Sequence, residues 1–311
     1  MGGKKVTRPM MRRGAVALGA LMIAAVSLLV SSSAALAVQT DRYDAFTACP
    51  TDHPLLNDPA REAAVCAAAA ATGGTLRIGE RAISLSPLGV HFATTGFTPD
   101  EPDCSQPGAC LGRVPGTTVV ESEPSVIPVH PGRGKNGKEN GNAKGNGHKL
   151  KVTIESAGDV VAVSPAFLFG QPVPVFKLPV KLHLQAPWLG NECYVGSNAN
   201  PVYFGPFVIG PPASFEPLPD PNGLPVEVLA FNDMPLADAN LAFPAAEGCG
   251  HGKGRGSDRD AEVDELLDLP SPAGRNLLSL PHVDLKFVAA EYDGTPPDGG
   301  AAIQAAFDAA E

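Results

Sequence analysis

Residues 177 to 185 read KLPVKLHLQ, with an apolar side chain at every second position from Leu178. Leu178, Val180, Leu182 and Leu184 point one way; Lys177, Lys181, His183 and Gln185 point the other. Successive side chains go to opposite faces only in an extended chain, so this period specifies a strand with one apolar and one wet face. HVDLKF at 282–287 repeats it through Val283, Leu285 and Phe287, and KVTIES at 151–156 and TLRIGE at 75–80 are shorter versions. Such strands form antiparallel sheets packed on one side. Pro179 has no N–H to give a ladder, which places its strand at an edge or leaves it unpaired there. The 34 glycines and 32 prolines supply many turns. The expected fold is mainly β: an antiparallel sandwich-like or barrel-like domain with little helix.

Helix is expected in two places. In DPAREAAVCAAAAATGG (58–74), Asp58 is a possible N-cap, Pro59 suits the first helical position and Gly73-Gly74 is a stop. Alanine favours helix there, although Cys66 could instead fix an extended segment. The tail GGAAIQAAFDAAE sets Ile303 and Phe307 one turn apart, as a short helix or a frayed end.

The first 37 residues predict the compartment. Lys4, Lys5, Arg8, Arg12 and Arg13 precede the uncharged run Gly14 to Val30, and Ala35-Leu36-Ala37 is a small-x-small cleavage pattern. That order is a secretory signal peptide. As an anchor helix the 17-residue run reaches only about 25 Å, short of a ~30 Å hydrocarbon core. Arg12-Arg13 raises twin-arginine export, which its flanks fit poorly. No later stretch is apolar enough to span a membrane. The whole chain has 23 basic and 33 acidic residues, and 1–37 hold five basic and no acidic ones, so the mature chain carries 18 − 33 = −15. That charge argues against nucleic acid as a partner and for a soluble exported protein.

All six cysteines, Cys49, Cys66, Cys104, Cys110, Cys193 and Cys249, follow the cleavage site. An even number in an exported chain is a disulfide framework. Six allow fifteen pairings; the sequence-nearest, 49–66, 104–110 and 193–249, is favoured. Zinc is weakly supported: Cys-x-x-Cys is absent, and the closest mixed pair is Cys249 with His251. A nucleophilic Cys193 needs a His base nearby. In LGNECYVGSNANP (189–201), Cys193 lies among turn formers, which predicts a tethered turn with Trp188 and Leu189 packed beneath it.

Two segments are expected to be disordered, 130–149 (HPGRGKNGKENGNAKGNGHK) and 248–262 (GCGHGKGRGSDRDAE), because neither has apolar surface to offset its ordering entropy. They are insertions in a single domain spanning 38–311, or the first links two domains, 38–129 and 150–311. GRGKNGKE (132–139) has phosphate-loop spacing, but Glu139 stands where Mg²⁺ needs Ser or Thr, and no strand leads in; GHGKGRG (250–256) is a similar mimic. The basic cluster in the first segment suits anionic wall polymers or plain solvation. The Gly-x-Ser-x-Gly and His-Glu-x-x-His signatures are absent. Seven histidines (53, 91, 130, 148, 183, 251, 282) are scattered, and Asp159, Asp233, Asp238 and DAEVDELLDL (260–269) offer carboxylates with solvation as their default. No catalytic, cofactor or metal residue is assigned.

FTACP with the later GGTLRIGERAISL, KLPVKLHLQAPWLGNECYVGSNANPV, ANLAFPAAEGCG and LPSPAGRNLLSL resemble the recurring motifs of a family of secreted actinobacterial proteins of unknown function. The stretches are spread over most of the mature chain, and the strand leading into Gly-Asn-Glu-Cys-Tyr-Val-Gly-Ser-Asn is the most specific. The resemblance implies an exported disulfide-bonded domain, with Cys49 paired to Cys66 and Cys193 to Cys249. It brings no activity or cofactor. It also implies that the two Gly/Lys-rich segments are insertions in one domain, and that 59–71 is strand rather than helix.

Two functions fit: a non-catalytic cell-surface or extracellular binding or structural module, and a secreted hydrolase whose site assembles in space. A deep pocket with converging His and carboxylate side chains favours the hydrolase; a filled core with flat faces favours the module.

Overall fold

The computed structural model describes residues 42–61, 63–97, 110–129, 148–250, 259–291 and 298–310. The expected signal peptide, Cys104, the first phosphate-loop mimic, all but Gly250 of the second, and most of the two Gly/Lys-rich segments lie outside them.

In chain order the strands are β1 (Ala63–Ala71), β2 (Gly74–Ile78), β3 (Arg81–Leu85), β4 (Leu88–Phe97), β5 (Leu111–Arg113), β6 (Val119–Ser122), β7 (Ser125–Val129), β8 (His148–Ser156) and β9 (Ala162–Val163). They continue with β10 (Phe176–Ala186), β11 (Gly190–Val195), β12 (Val202–Phe204), β13 (Phe207–Val208), β14 (Ser214–Pro219), β15 (Val226–Asp238), β16 (Ala246–Glu247) and β17 (Leu277–Glu291). The helices are α1 (Asp260–Leu267) and α2 (Gly299–Asp308), with short 3₁₀ turns at Asp44–Phe46, Pro54–Asn57 and Pro165–Phe169. The fold is mainly β, and the pairings are antiparallel.

The larger sheet runs β13-β15-β17-β1-β4-β5, with β14 on β15, β2 on β17, β3 on β2 and β6 on β4. The smaller runs β16-β11-β10-β8-β7, with β12 and β9 also on β10. One core fills the space between them, with Ala67, Val90, Leu285 and Phe287 from the larger sheet and Ile154, Val180, Leu182 and Leu184 from the smaller. A second core lies on the outer face of the larger sheet, where Phe46, Leu56, Ile303 and Ala306 cover Ala64, Cys66, Ala68, Val228 and Val288. Val38–Glu311 forms one compact unit. β7 and β8, on either side of residues 130–147, are partners in one ladder.

Strand β1 corrects the helix expected at 58–74. Its alanines lie between β17 and β4, with Ala67 opposite both Phe287 and Phe92. Odd positions from Val65 to Ala71 face the inter-sheet core, and Ala64, Cys66 and Ala68 face the second core. A strand buried on both faces reads as a continuous apolar run, without alternation. Two-sided burial and the Cys49–Cys66 bond outweigh alanine's weak helix preference. The expected cap and first turn form a tight turn instead, in which Asp58 Oδ1 accepts from the Ala60 N–H and the Asp58 carbonyl from the Arg61 N–H; it follows the 3₁₀ turn Pro54–Asn57, capped by His53, whose Nδ1 accepts from the Leu55 N–H.

Pro179 is on an interior strand, which corrects the edge expected for it. It faces Tyr203 of β12 on one side. On the other side its carbonyl accepts from the Ala157 N–H, in the interval where β8 gives way to β9. The missing N–H falls in that interval, so the unpaired alternative is the one realised.

β15 changes faces at a bulge. Phe231 faces Leu285 and Met234 faces Val283, with Asp233 between them in the left-handed region at φ 55°. The extra residue lets Phe231 and Met234 both point into the inter-sheet core. The C-terminal helix is formed: α2 buries Ile303 and sets Phe307 at 5.2 Å from Tyr43 and 6.5 Å from Phe46, centroid to centroid. Asn57 Oδ1 accepts from the Ala301 N–H at its first turn.

Candidate functional site

The disulfides are scaffolding. Cys49 bonds Cys66, Cys193 bonds Cys249, and Cys110 is also disulfide-bonded. Its expected partner, Cys104, lies outside the described residues. Cys193 is in strand β11 opposite Leu184 and fully buried, which corrects its placement in a turn. The local turn formers shape the next connection, where Ser197 and Asn200 exchange backbone hydrogen bonds.

The second expected disordered segment is ordered at both ends. Gly248 sits at φ 78° against the Glu192 carbonyl, where a Cβ would collide. Asp260 to Glu262 open α1. The acidic run is structural there: Asp260 Oδ1 accepts from the Cys249 N–H and Asp264 Oδ1 from the Ala246 N–H, each at 2.7 Å. These bonds staple α1 to the strand end that carries the disulfide. His148-Lys149, likewise, begin β8.

Other carboxylates hold backbone or pair with histidine. Asp159 accepts from the Gly116 and Thr118 N–H groups. Asp238 is buried and accepts from Gly205 and Asn240, yet desolvation holds its pKa above the usual carboxylate value. Asp233 pairs with His282 at the β15 bulge. His183 pairs with Glu155 on an open sheet face. The hydrogen bonds of these two rings run to carboxylates and to the Asn191 carbonyl.

Two cavities are notable. One, about 20 Å³ of space between the sheets, is lined by apolar side chains including Ala69, Ile154, Phe176 and Leu280. The other is an open groove of about 330 Å³ between Tyr43, Phe46 and Phe307, beside Cys49. Among the described residues no cluster of His, Cys, Asp or Glu has metal-binding geometry.

The outer face of the smaller sheet is different. β8 contributes Lys149, Lys151, Thr153 and Glu155, alternating with buried Leu150, Val152 and Ile154. β10 contributes Lys177, Lys181, His183 and Gln185 beside them. β11 and β12 add Tyr194, opposite His183, and Tyr203, opposite Pro179. Four of the five described lysines are on this face; the fifth, Lys286, is on the larger sheet.

The face is internally braced. His183 Nδ1 lies 2.8 Å from Glu155 Oε1 and its Nε2 3.2 Å from the Asn191 carbonyl. The His183 and Tyr194 rings stack at 4.6 Å. Lys181 Nζ is 5.0 Å from the Tyr194 centroid and 3.7 Å from Glu155. Lys177 Nζ is 4.7 Å from the Tyr203 centroid. Burial, then the charges of Glu155 and Glu192, raise the Tyr194 pKa, so its hydroxyl stays a donor. Tyr203 is 44% exposed.

The sequence named the β10 half of this face but missed both tyrosines. Their signal is short: CYV and VYF each set a tyrosine between buried neighbours. What they adjoin is set by strand order, which a three-residue pattern does not carry.

Fold and face define a disulfide-stapled antiparallel β-sandwich with one open sheet surface that combines lysines, glutamates and tyrosines. No family model, curated protein or solved structure matches the chain.

Proposed function

We propose that this protein is an exported, non-catalytic module that binds extracellular or cell-surface material through the outer face of its smaller sheet. The observation that carries the reading is the gathering of lysines and tyrosines on an open face of a chain with net charge −10. Such a face, braced by hydrogen bonds and ring contacts, loses little side-chain entropy when it meets a ligand. The disulfides fit an oxidising compartment, and no helix among the described residues is long and apolar enough to cross a membrane. The two His–carboxylate pairs lie on open faces, away from the cavities, which favours binding over hydrolysis. The secreted actinobacterial resemblance belongs to the same reading, as does removal of 1–37.

Two measurements test it. Intact mass of the protein recovered from culture is expected to start at Val38. The wild-type protein is expected to be retained on isolated cell-surface material, and Lys177→Ala/Tyr203→Ala protein to be washed off. Equal retention of the two refutes the assignment of the face.

A further inference from the structure

We infer that the ligand of this face is a linear anionic polysaccharide, held by two Lys–Tyr pairs that repeat along β10. The inference rests on the binding-module reading and adds the ligand's chemistry. Lys177 with Tyr203 and Lys181 with Tyr194 are the same arrangement twice: an ammonium about 5 Å from a ring centroid, on one face of the sheet. The lysines are four residues apart on one strand, about 13 Å at ~3.3 Å per residue. Two like subsites at a fixed spacing suit a ligand that itself repeats.

Each pair supplies what an acidic sugar needs. The ammonium meets a carboxylate or sulfate, and the ring edge and phenol meet the C–H and hydroxyl groups of the neighbouring unit. Tyr203 has the exposure for this, and the Tyr194 hydroxyl remains protonated. Gln185 beside the lysines adds an amide donor and acceptor.

The carboxylates separate sugars from nucleic acid. Glu155 contacts Lys181, Glu192 borders Tyr194, and Glu247 is opposite Tyr194 in β16. Sugar hydroxyls donate to such groups. A phosphate backbone has few hydroxyls beside its charges to give these carboxylates, and is repelled by them and by the acidic remainder of the chain. A polymer with more hydroxyls than charges fits the mixed face.

The test is calorimetric titration of the disulfide-bonded protein with polygalacturonate, its carboxyl-reduced neutral polymer, polyuridylate and phosphatidylglycerol vesicles. Polygalacturonate is expected to bind and to weaken as salt rises from 0.05 to 0.5 M, because exposed charges are screened. The other three are expected not to bind. Lys177→Gln/Lys181→Gln is expected to lose about tenfold or more, as two charge contacts go together, and Tyr203→Ala to lose affinity with the salt dependence kept. Unfolding curves identical to wild type establish that the variants fold. Equal binding of the neutral polymer, or binding of polyuridylate or vesicles as tight as polygalacturonate, overturns the anionic glycan but leaves the module standing. Failure of polygalacturonate to bind overturns it too. Binding unchanged in the Lys and Tyr variants overturns the face itself, and with it the module reading.

Discussion

Removing the Asn276 side chain is expected to cost a large part of the fold's stability. Asn276 is 1% exposed and lies in the LPSPAGRN stretch. Its Nδ2 donates to the carbonyls of Leu241 at 2.8 Å, Pro272 at 2.9 Å and Ser271 at 3.1 Å. Its Oδ1 accepts from the Gly79 N–H at 2.9 Å and from Ser271 Oγ at 2.7 Å. One side chain thus joins the β2–β3 turn, the segment after β15 and the loop before β17, where Phe243 and Ser271 form a bridge. Asn276→Ala leaves the Gly79 N–H, the Ser271 hydroxyl and the Leu241 carbonyl buried without this partner. Each unsatisfied buried group costs about 1–3 kcal/mol; with water entering the vacated space, the sum is about 4 kcal/mol. A typical domain has about 5–15 kcal/mol in all. Asn276→Asp keeps the acceptor but turns a carboxylate toward three carbonyls. Burial there raises the folded-state pKa of the new acid. Its penalty therefore grows as pH rises above the unfolded value near 4, and this variant is more stable at pH 4 than at pH 7 relative to wild type. Urea unfolding followed by Trp188, the single tryptophan, reads both. A loss below about 1 kcal/mol for Asn276→Ala refutes the assignment of Asn276 as the joint.

Three further outcomes are expected. Cys193→Ser, which opens a loop of 56 residues, is expected to lower stability by about 4 kcal/mol and to leave Cys249 able to form intermolecular disulfides, seen on unreduced gels. Burial and a hydrogen bond to Asp220 push the Tyr43 pKa up to about 12; because the folded state keeps the proton that the unfolded chain loses near pH 10, stability falls as pH rises from 10 towards 12, and Tyr43→Phe removes that fall and the late phase of the phenol absorbance titration. Ala68→Leu in β1, buried under the α2 layer, is expected to cost about 1–3 kcal/mol by overpacking, measured by thermal unfolding.

The legible parts of the fold were those where one face is wet. β10 and the first half of β17 alternate visibly because Lys181 and His183, or Asp284 and Lys286, lie opposite core residues. β1 was opaque for the opposite reason. Two cores cover it, so its sequence is uniform, and a run of alanine is ambiguous between strand and helix by period alone. The continuation of β17 has the same cause: Val288 and Ala290 are covered by the layer that includes α2. The bonds 49–66 and 193–249 followed from sequence proximity and from the resemblance. Carboxylates such as Asp260 and Asp264 look solvated in the sequence because nothing local shows that a helix start will meet a strand end. The candidate face was half legible: Lys177, Lys181, His183 and Gln185 could be placed on one side of β10, while Tyr194 and Tyr203 join them only through the strand order of the sheet.

The claim that this face is the binding surface is tested most directly by lysine footprinting. The protein is acetylated free and after adsorption to isolated cell-surface material, and each lysine is read by peptide mass. Lys177 and Lys181 are expected to lose reactivity on adsorption while Lys286, on the larger sheet, keeps it. Protection of Lys286 with Lys177 and Lys181 still reactive contradicts the account.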